Sequence, residues 1–134
     1  MITKISHIGI AAKNLQMAQH IFEQILGFGA GHAQRVDDQE VDIVSFQIDD
    51  TGIELTSATS DESPVAKFIQ KRGEGIHHIA FEVDDLHAEL ARLKSLGIKL
   101  IDEEPRAGAN NYSIAFLHPK STNGILIELC EKMK

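Results

Sequence analysis

Apolar residues along this 134-residue chain change their spacing from segment to segment, and the sequence of changes occurs twice. Residues 5–15 read Ile-Ser-His-Ile-Gly-Ile-Ala-Ala-Lys-Asn-Leu, and residues 76–86 read Ile-His-His-Ile-Ala-Phe-Glu-Val-Asp-Asp-Leu. Both alternate like a strand and then reach a polar turn. A helical stripe follows each: Met17, Ala18, Ile21, Phe22, Ile25 and Leu26 in the first copy, and Leu86, Leu90 and Leu93 in the second. Asn14 and Asp85 stand where N-caps belong, and Gly27 and Gly97 where helices stop. Three more strand-like runs close each copy, at about 28–35, 41–48 and 52–58 and at about 98–102, 113–118 and 124–130. Between the copies, Ser63 as cap and Pro64 at the first helical position predict a linking helix over about 62–73, broken by Gly73-Glu74-Gly75. The expected organisation is a single domain, 1–134, with one module over about 4–58 and a second over about 76–131.

Two strand–helix–strand–strand–strand modules bury their apolar faces most simply as an α+β fold, with a curved mixed sheet and helices on its outer face. The opposite face is left to form a cleft. Strand parity sorts the residues between these faces. Ile8 and Ile10 share one side of the first strand, with His7 and Gly9 on the other; Ile79 and Phe81 likewise oppose His78 and Ala80. In the closing strands Ile53 and Leu55, and Ile125, Ile127 and Leu129, take the apolar side. Glu54 and Glu128 then project with the histidines. His7, Glu54, His78 and Glu128 thus come from equivalent places in a duplicated module. Two imidazoles and two carboxylates suit a divalent ion, and such an ion removes the cost of burying paired carboxylates. The other histidines carry less: His77 faces away from His78, His20 and His87 lie on helices, and His32 is in a strand of undetermined facing. His118 precedes Pro119 in a loop.

Composition narrows the classes. A net charge of −7 excludes a surface built to neutralise nucleic acid or an anionic membrane. It leaves room for a small anionic ligand held by local cations. No run approaches the roughly 18 apolar residues of a membrane span, and the first residues carry no apolar leader, so a cytoplasmic protein is expected. Cys130 is the only cysteine and reads as a buried strand thiol.

The duplicated plan with its His, Glu, His and Glu resembles the vicinal-oxygen-chelate superfamily, which holds glyoxalases, extradiol dioxygenases and drug-binding resistance proteins. Within it, the likeness to the methylmalonyl-CoA epimerase family covers nearly the whole chain. It is carried by Ser6-His-Ile-Gly-Ile-Ala, Ser63-Pro-Val-Ala-Lys-Phe, the run from Arg72 to Asp85, Leu100-Ile-Asp-Glu-Glu-Pro-Arg, and the run from Phe116 through His118-Pro-Lys-Ser-Thr to Leu129.

The resemblance implies a metal site at His7, His78 and Glu128, with Glu54 where epimerases carry Gln or Glu. It implies interconversion of (R)- and (S)-methylmalonyl-CoA through a metal-stabilised enolate, Co²⁺ as the metal (Zn²⁺, Ni²⁺ and Mn²⁺ being the other candidates), and a homodimer. One general base is needed on each face of the inverted carbon. Glu128 is assigned one proton transfer, and Glu54 or a metal-bound water the other. Some epimerases carry a catalytic Glu on the third strand of the first module, where this chain has Ile43 beside Asp42. Lys120, Arg106, Lys71 and Arg72 are the candidate anchors for coenzyme A phosphates, and Ser121 for the substrate carboxylate. The alternatives are a glyoxalase I-type lyase acting on a glutathione hemithioacetal, an Fe²⁺ extradiol dioxygenase, and a non-enzymatic drug-binding protein.

Overall fold

The computed structural model describes all residues, Met1–Lys134. In chain order the elements are β1 (Ile2–Ala11), α1 (Leu15–Leu26), β2 (His32–Val36), β3 (Val41–Ile48), β4 (Thr51–Ala58), α2 (Pro64–Arg72), β5 (Gly75–Val83), α3 (Leu86–Ser95), β6 (Arg106–Ala107), β7 (Tyr112–Leu117) and β8 (Ile127–Lys132), with short 3₁₀ turns before β3 and β7 and after β7. The strand–helix–strand–strand–strand plan is therefore present twice. The chain forms two compact units, Ile8–His77 and Met1–His7 with His78–Lys134, so β1 contributes to both.

In the unit Ile8–His77, strand neighbours run β2-β3-β4-β1, and the β2–β3 and β3–β4 pairs are antiparallel. One face carries Val44, Phe46 and Leu55 against Ala18, Phe22 and Leu26 of α1. The periodicity of α1 predicts a broader buried stripe than forms: Met17, Ile21 and Ile25 are exposed. Six apolar residues in three turns are more than one contact stripe accepts. Asn14 caps the helix by accepting from the Met17 N–H. The other face carries Ala11 and Val41 against Val65 of α2, with Ile43, Ala58 and Phe68 packed around them. The linking helix thus covers one end of the face that holds Glu54, since Val41 pairs with Ala58 and Ser45 with Glu54. Ser63 caps α2 through the Val65 N–H, with Pro64 in its first turn.

In the other unit the neighbours run β1-β5-β8-β7-β6; β5 and β8 are parallel, while β8–β7 and β7–β6 are antiparallel. Here the helical stripe packs as its spacing predicts: Leu86 and Leu90 are buried with Val83, Ala115, Leu117 and Leu129, and Leu93 joins them. Asp85 caps α3 through the Ala88 N–H. Two expected segments differ. Residues 98–102 form no strand, only a Leu100–Leu117 bridge. The N–H groups of Ile101 and Asp102 both donate to the Phe116 carbonyl, so the ladder cannot advance. The paired strand is the two-residue β6, just after Pro105. The closing strand begins at Ile127 and not at 124, and Ile125 is exposed in the turn before it.

Candidate metal centre and active site

Three of the four ligand candidates meet. His7 lies near the middle of β1, His78 near the middle of β5 and Glu128 near the start of β8. The register sets Ala80 beside Glu128, so no bulky side chain from β5 competes for that space. Nε2 of His7 is 3.0 Å from Nε2 of His78. The Glu128 carboxylate lies 3.8 Å from His7 Nε2 through Oε2 and 3.6 Å from His78 Nε2 through Oε1. His78 and Glu128 are buried and His7 nearly so.

Adjacent ligands on an ion with bonds of about 2.1 Å are separated by about 3.0 Å at right angles and about 3.4 Å in a tetrahedron. The observed 3.0 Å and 3.6 Å edges straddle those values, and the 3.8 Å edge is slightly open. The electrostatics agree with the geometry. Burial pushes the His7 imidazole down to about 4, so at neutral pH it is an uncharged donor. The Glu128 carboxylate, 6% exposed beside the two imidazoles, adds the negative charge that a divalent ion would balance. The residues therefore fit a divalent metal.

Two supports around the trio were not evident from residue spacing. Ser6 Oγ lies 3.1 Å from His7 Nδ1. When Nδ1–H donates to that hydroxyl, the Nε2 lone pair is directed at the other two ligand atoms. His78 stands between two perpendicular rings: His7 at 5.1 Å and Phe116 at 6.1 Å between centroids. Phe116 pairs directly with Glu128 across β7 and β8.

Glu54 belongs to the other unit. It is partly buried on β4, paired across the ladder with Ser45, and burial raises its carboxyl to about 7. Ile43 packs with Val41 and Val65 instead of offering a carboxylate. Neighbouring Asp42 is held by Arg35 through bonds of 2.7 and 3.1 Å, which keep its carboxyl below the usual range and make it a poor base.

The basic candidates are dispersed. Lys120 is exposed in the turn after β7, where its backbone N–H donates to Nδ1 of His118. Ser121 Oγ accepts from the Lys99 N–H. Arg106 lies over the Phe116 ring, with Cζ 5.4 Å from the centroid, and 3.5 Å from Asp102. Lys71 and Arg72 end α2 on an exposed turn. Cys130 is buried, as expected of a strand thiol. His32, His20 and His87 are exposed, and His77 packs edge-on against Phe68.

Comparison with known proteins agrees with this arrangement. Residues 6–116 match the family described as glyoxalase/bleomycin resistance protein/dioxygenase superfamily. The chain is 40% identical to the mitochondrial methylmalonyl-CoA epimerase of Dictyostelium discoideum, over 98% of this chain and 80% of that one. It is 37% identical to the ethylmalonyl-CoA/methylmalonyl-CoA epimerase of Cereibacter sphaeroides, over 96% and 98% of the two chains. A variant of the Streptomyces coelicolor methylmalonyl-CoA epimerase, solved in complex with 2-nitronate-propionyl-CoA, superposes with a TM-score of 0.93 at 34% identity, covering 98% of this chain and 96% of that one. A repeated βαβββ plan, a buried His–His–Glu trio and likeness along nearly the full length lead to one assignment: the chain belongs to the glyoxalase/bleomycin resistance protein/dioxygenase superfamily, in the branch of the methylmalonyl-CoA epimerases.

Proposed function

We propose that this chain is a metal-dependent epimerase that interconverts (R)- and (S)-methylmalonyl-CoA. One observation carries the reading: three ligand atoms, two on buried residues and one on a half-buried residue, converge within 4.8 Å in a chain that matches epimerases over 96–98% of its length. His7, His78 and Glu128 hold the ion, and Co²⁺ is the proposed metal, ahead of Zn²⁺, Ni²⁺ and Mn²⁺. Imidazole and carboxylate donors suit all of these.

Inversion at C2 requires that its C–H bond break, with the electron pair delocalised onto the thioester carbonyl, and that a proton return from the opposite side. The bound ion supplies positive charge where negative charge develops on oxygen. The side chains of this protein do the rest. Carboxylates take and return the proton, one for each face, and the proposed pair is Glu54 and Glu128. A carboxyl raised to about 7 supports this for Glu54, because such a group accepts and releases a proton at neutral pH with little energetic penalty. The burial of His7 keeps its imidazole uncharged at neutral pH, and the Ser6 hydroxyl lies beside its Nδ1. The exposed ammonium of Lys120 is the proposed anchor for a coenzyme A phosphate.

The enzyme is further proposed to act as one domain, as a homodimer and in the cytoplasm. The exposed apolar row Met17, Ile21 and Ile25 supports self-association. No helix is long and apolar enough to cross a membrane.

The test is proton exchange at C2 of (2S)-methylmalonyl-CoA in D₂O, with metal-stripped protein before and after addition of Co²⁺. Exchange that appears with the metal and disappears in Glu128→Ala supports the reading. Protein that binds Co²⁺ and exchanges nothing refutes the epimerase assignment, and turnover of a glutathione hemithioacetal would replace it with a glyoxalase I-type activity.

A further inference from the structure

The segment Asp102–Arg106 takes no part in the chemistry above, yet it reaches the metal centre through a closed set of contacts. Asp102 sits at the turn where residues 98–102 fail to become a strand. Its Oδ2 accepts from the backbone N–H of Phe116 at 2.9 Å, while its Oδ1 lies 3.5 Å from Nε of Arg106. Arg106 in turn lies over the face of the Phe116 ring, 5.4 Å from its centroid. The Phe116 ring stands perpendicular to the His78 imidazole, 6.1 Å away. One carboxylate thus fixes both the backbone of Phe116 and the cation above its ring, and that ring borders a metal ligand. Phe116 and Ile114 are buried with Cys130, and a side chain at Gly108 would come within 2.6 Å of Ile114, so the loop that carries Arg106 lies close against the strand beneath it.

We propose that Asp102, Arg106 and Phe116 form a brace that orients the His78 imidazole, and that Arg106 is a positioning residue for the metal centre and not an anchor for coenzyme A phosphate. The physical reason is the nature of the contact. A perpendicular ring pair restricts rotation of the imidazole about its bond to Cβ, and a ring free to tilt would release that restriction. The guanidinium above Phe116 removes that freedom, because a cation prefers the ring face and Asp102 holds this one in place. Supporting groups of this kind commonly change metal affinity by about 10- to 100-fold when removed. Arg106 acts through one intervening ring and is about half exposed, so its effect is expected below that range, about 3- to 10-fold.

This inference rests on the metal-centre reading, and the test separates the two. Co²⁺ is titrated into metal-stripped protein, with its visible absorption as the readout of affinity and ligand geometry, so no turnover is needed. Wild-type protein that shows no Co²⁺ spectrum sinks the metal centre itself. Given a wild-type spectrum, Arg106→Ala is expected to weaken Co²⁺ about 3- to 10-fold and shift the band, with Arg106→Lys restoring part of both. In a Phe116→Leu background, removal of Arg106 is expected to add nothing, because the two act through one contact. Thermal unfolding of each metal-free variant shows whether it is folded; if Phe116→Leu is not, Asp102→Asn takes its place, since the amide keeps the bond to the Phe116 N–H and loses the charge beside Arg106. An Arg106→Ala protein with wild-type Co²⁺ affinity and spectrum, and a raised KM only for thioesters that keep the coenzyme A phosphates, overturns the brace and makes Arg106 a phosphate anchor.

Discussion

Glu54 and Glu128 hold equivalent places in the closing strands of the two modules, each inside a Gly-Ile-Glu-Leu or Ile-Glu-Leu run, and their surroundings differ sharply. Glu128 is 6% exposed, lies beside Ala80 and Phe116, and has two imidazole nitrogens near its carboxylate, at 3.6 and 3.8 Å. Glu54 pairs with Ser45 on a strand whose next residue on the same face is Thr56, and burial lifts its carboxyl to about 7. Duplication supplies the same residue type at the same register. The surroundings then differ: Glu128 stands beside two imidazoles and is the proposed metal ligand, and Glu54, whose carboxyl burial raises, is the proposed proton carrier.

The largest effect that bears on this comparison is expected from Glu128→Ala, which should weaken Co²⁺ by more than about 100-fold, measured by equilibrium dialysis. Glu54→Gln should instead lower exchange at C2 by about 10²–10⁴-fold while changing Co²⁺ affinity by less than about 10-fold. Loss of metal binding in both variants would erase the distinction between the two glutamates. A smaller change, near the 10-fold end of the supporting-group range, is expected for Ser6→Ala, read as Co²⁺ affinity and its pH dependence. The hydroxyl is the polar group beside Nδ1 of His7, 3.1 Å away.

The smallest effect is on the stability of metal-free protein, and its sign separates the groups again. His7 takes a proton in the unfolded chain near 6.5 and in the folded one only near 4, so it makes folding more favourable as pH rises across that window. Glu54 works in the opposite sense: folded protein keeps its proton up to about 7, whereas the ordinary value is 4.5, so its contribution is lost as pH rises from 4.5 to 7. The two slopes oppose each other over their common range. Urea midpoints of Glu54→Gln should therefore climb more steeply from pH 4.5 to 6.5 than those of wild type. Parallel curves would mean that Glu54 titrates as an ordinary exposed carboxylate.

A second pair of equivalent elements shows where sequence patterns reach their limit. Both α1 and α3 were legible from spacing and caps, because helical period and a capping side chain are local properties. Leu86, Leu90 and Leu93 pack as their period requires. In α1 six apolar residues fit two stripes, and only packing against Val44, Phe46 and Leu55 selects Ala18, Phe22 and Leu26 over Met17, Ile21 and Ile25. Residues 98–102 read as a strand for the same reason that they are not one: an apolar run with strand-forming residues carries no record of which partner carbonyls are free. Here a single carbonyl, that of Phe116, takes two of its N–H groups.

By itself the sequence determined the duplicated module, the helix caps and the parity that puts His7, His78 and Glu128 on inward positions, since each depends on near neighbours and a fixed period of the chain. Tertiary structure decided which ligand candidates meet at 3.0 to 3.8 Å, that burial raises the carboxyl of Glu54, and that Phe116 and Arg106 stand behind His78. Those outcomes rest on distance and on exclusion of water between residues far apart in the chain, and no local pattern encodes either.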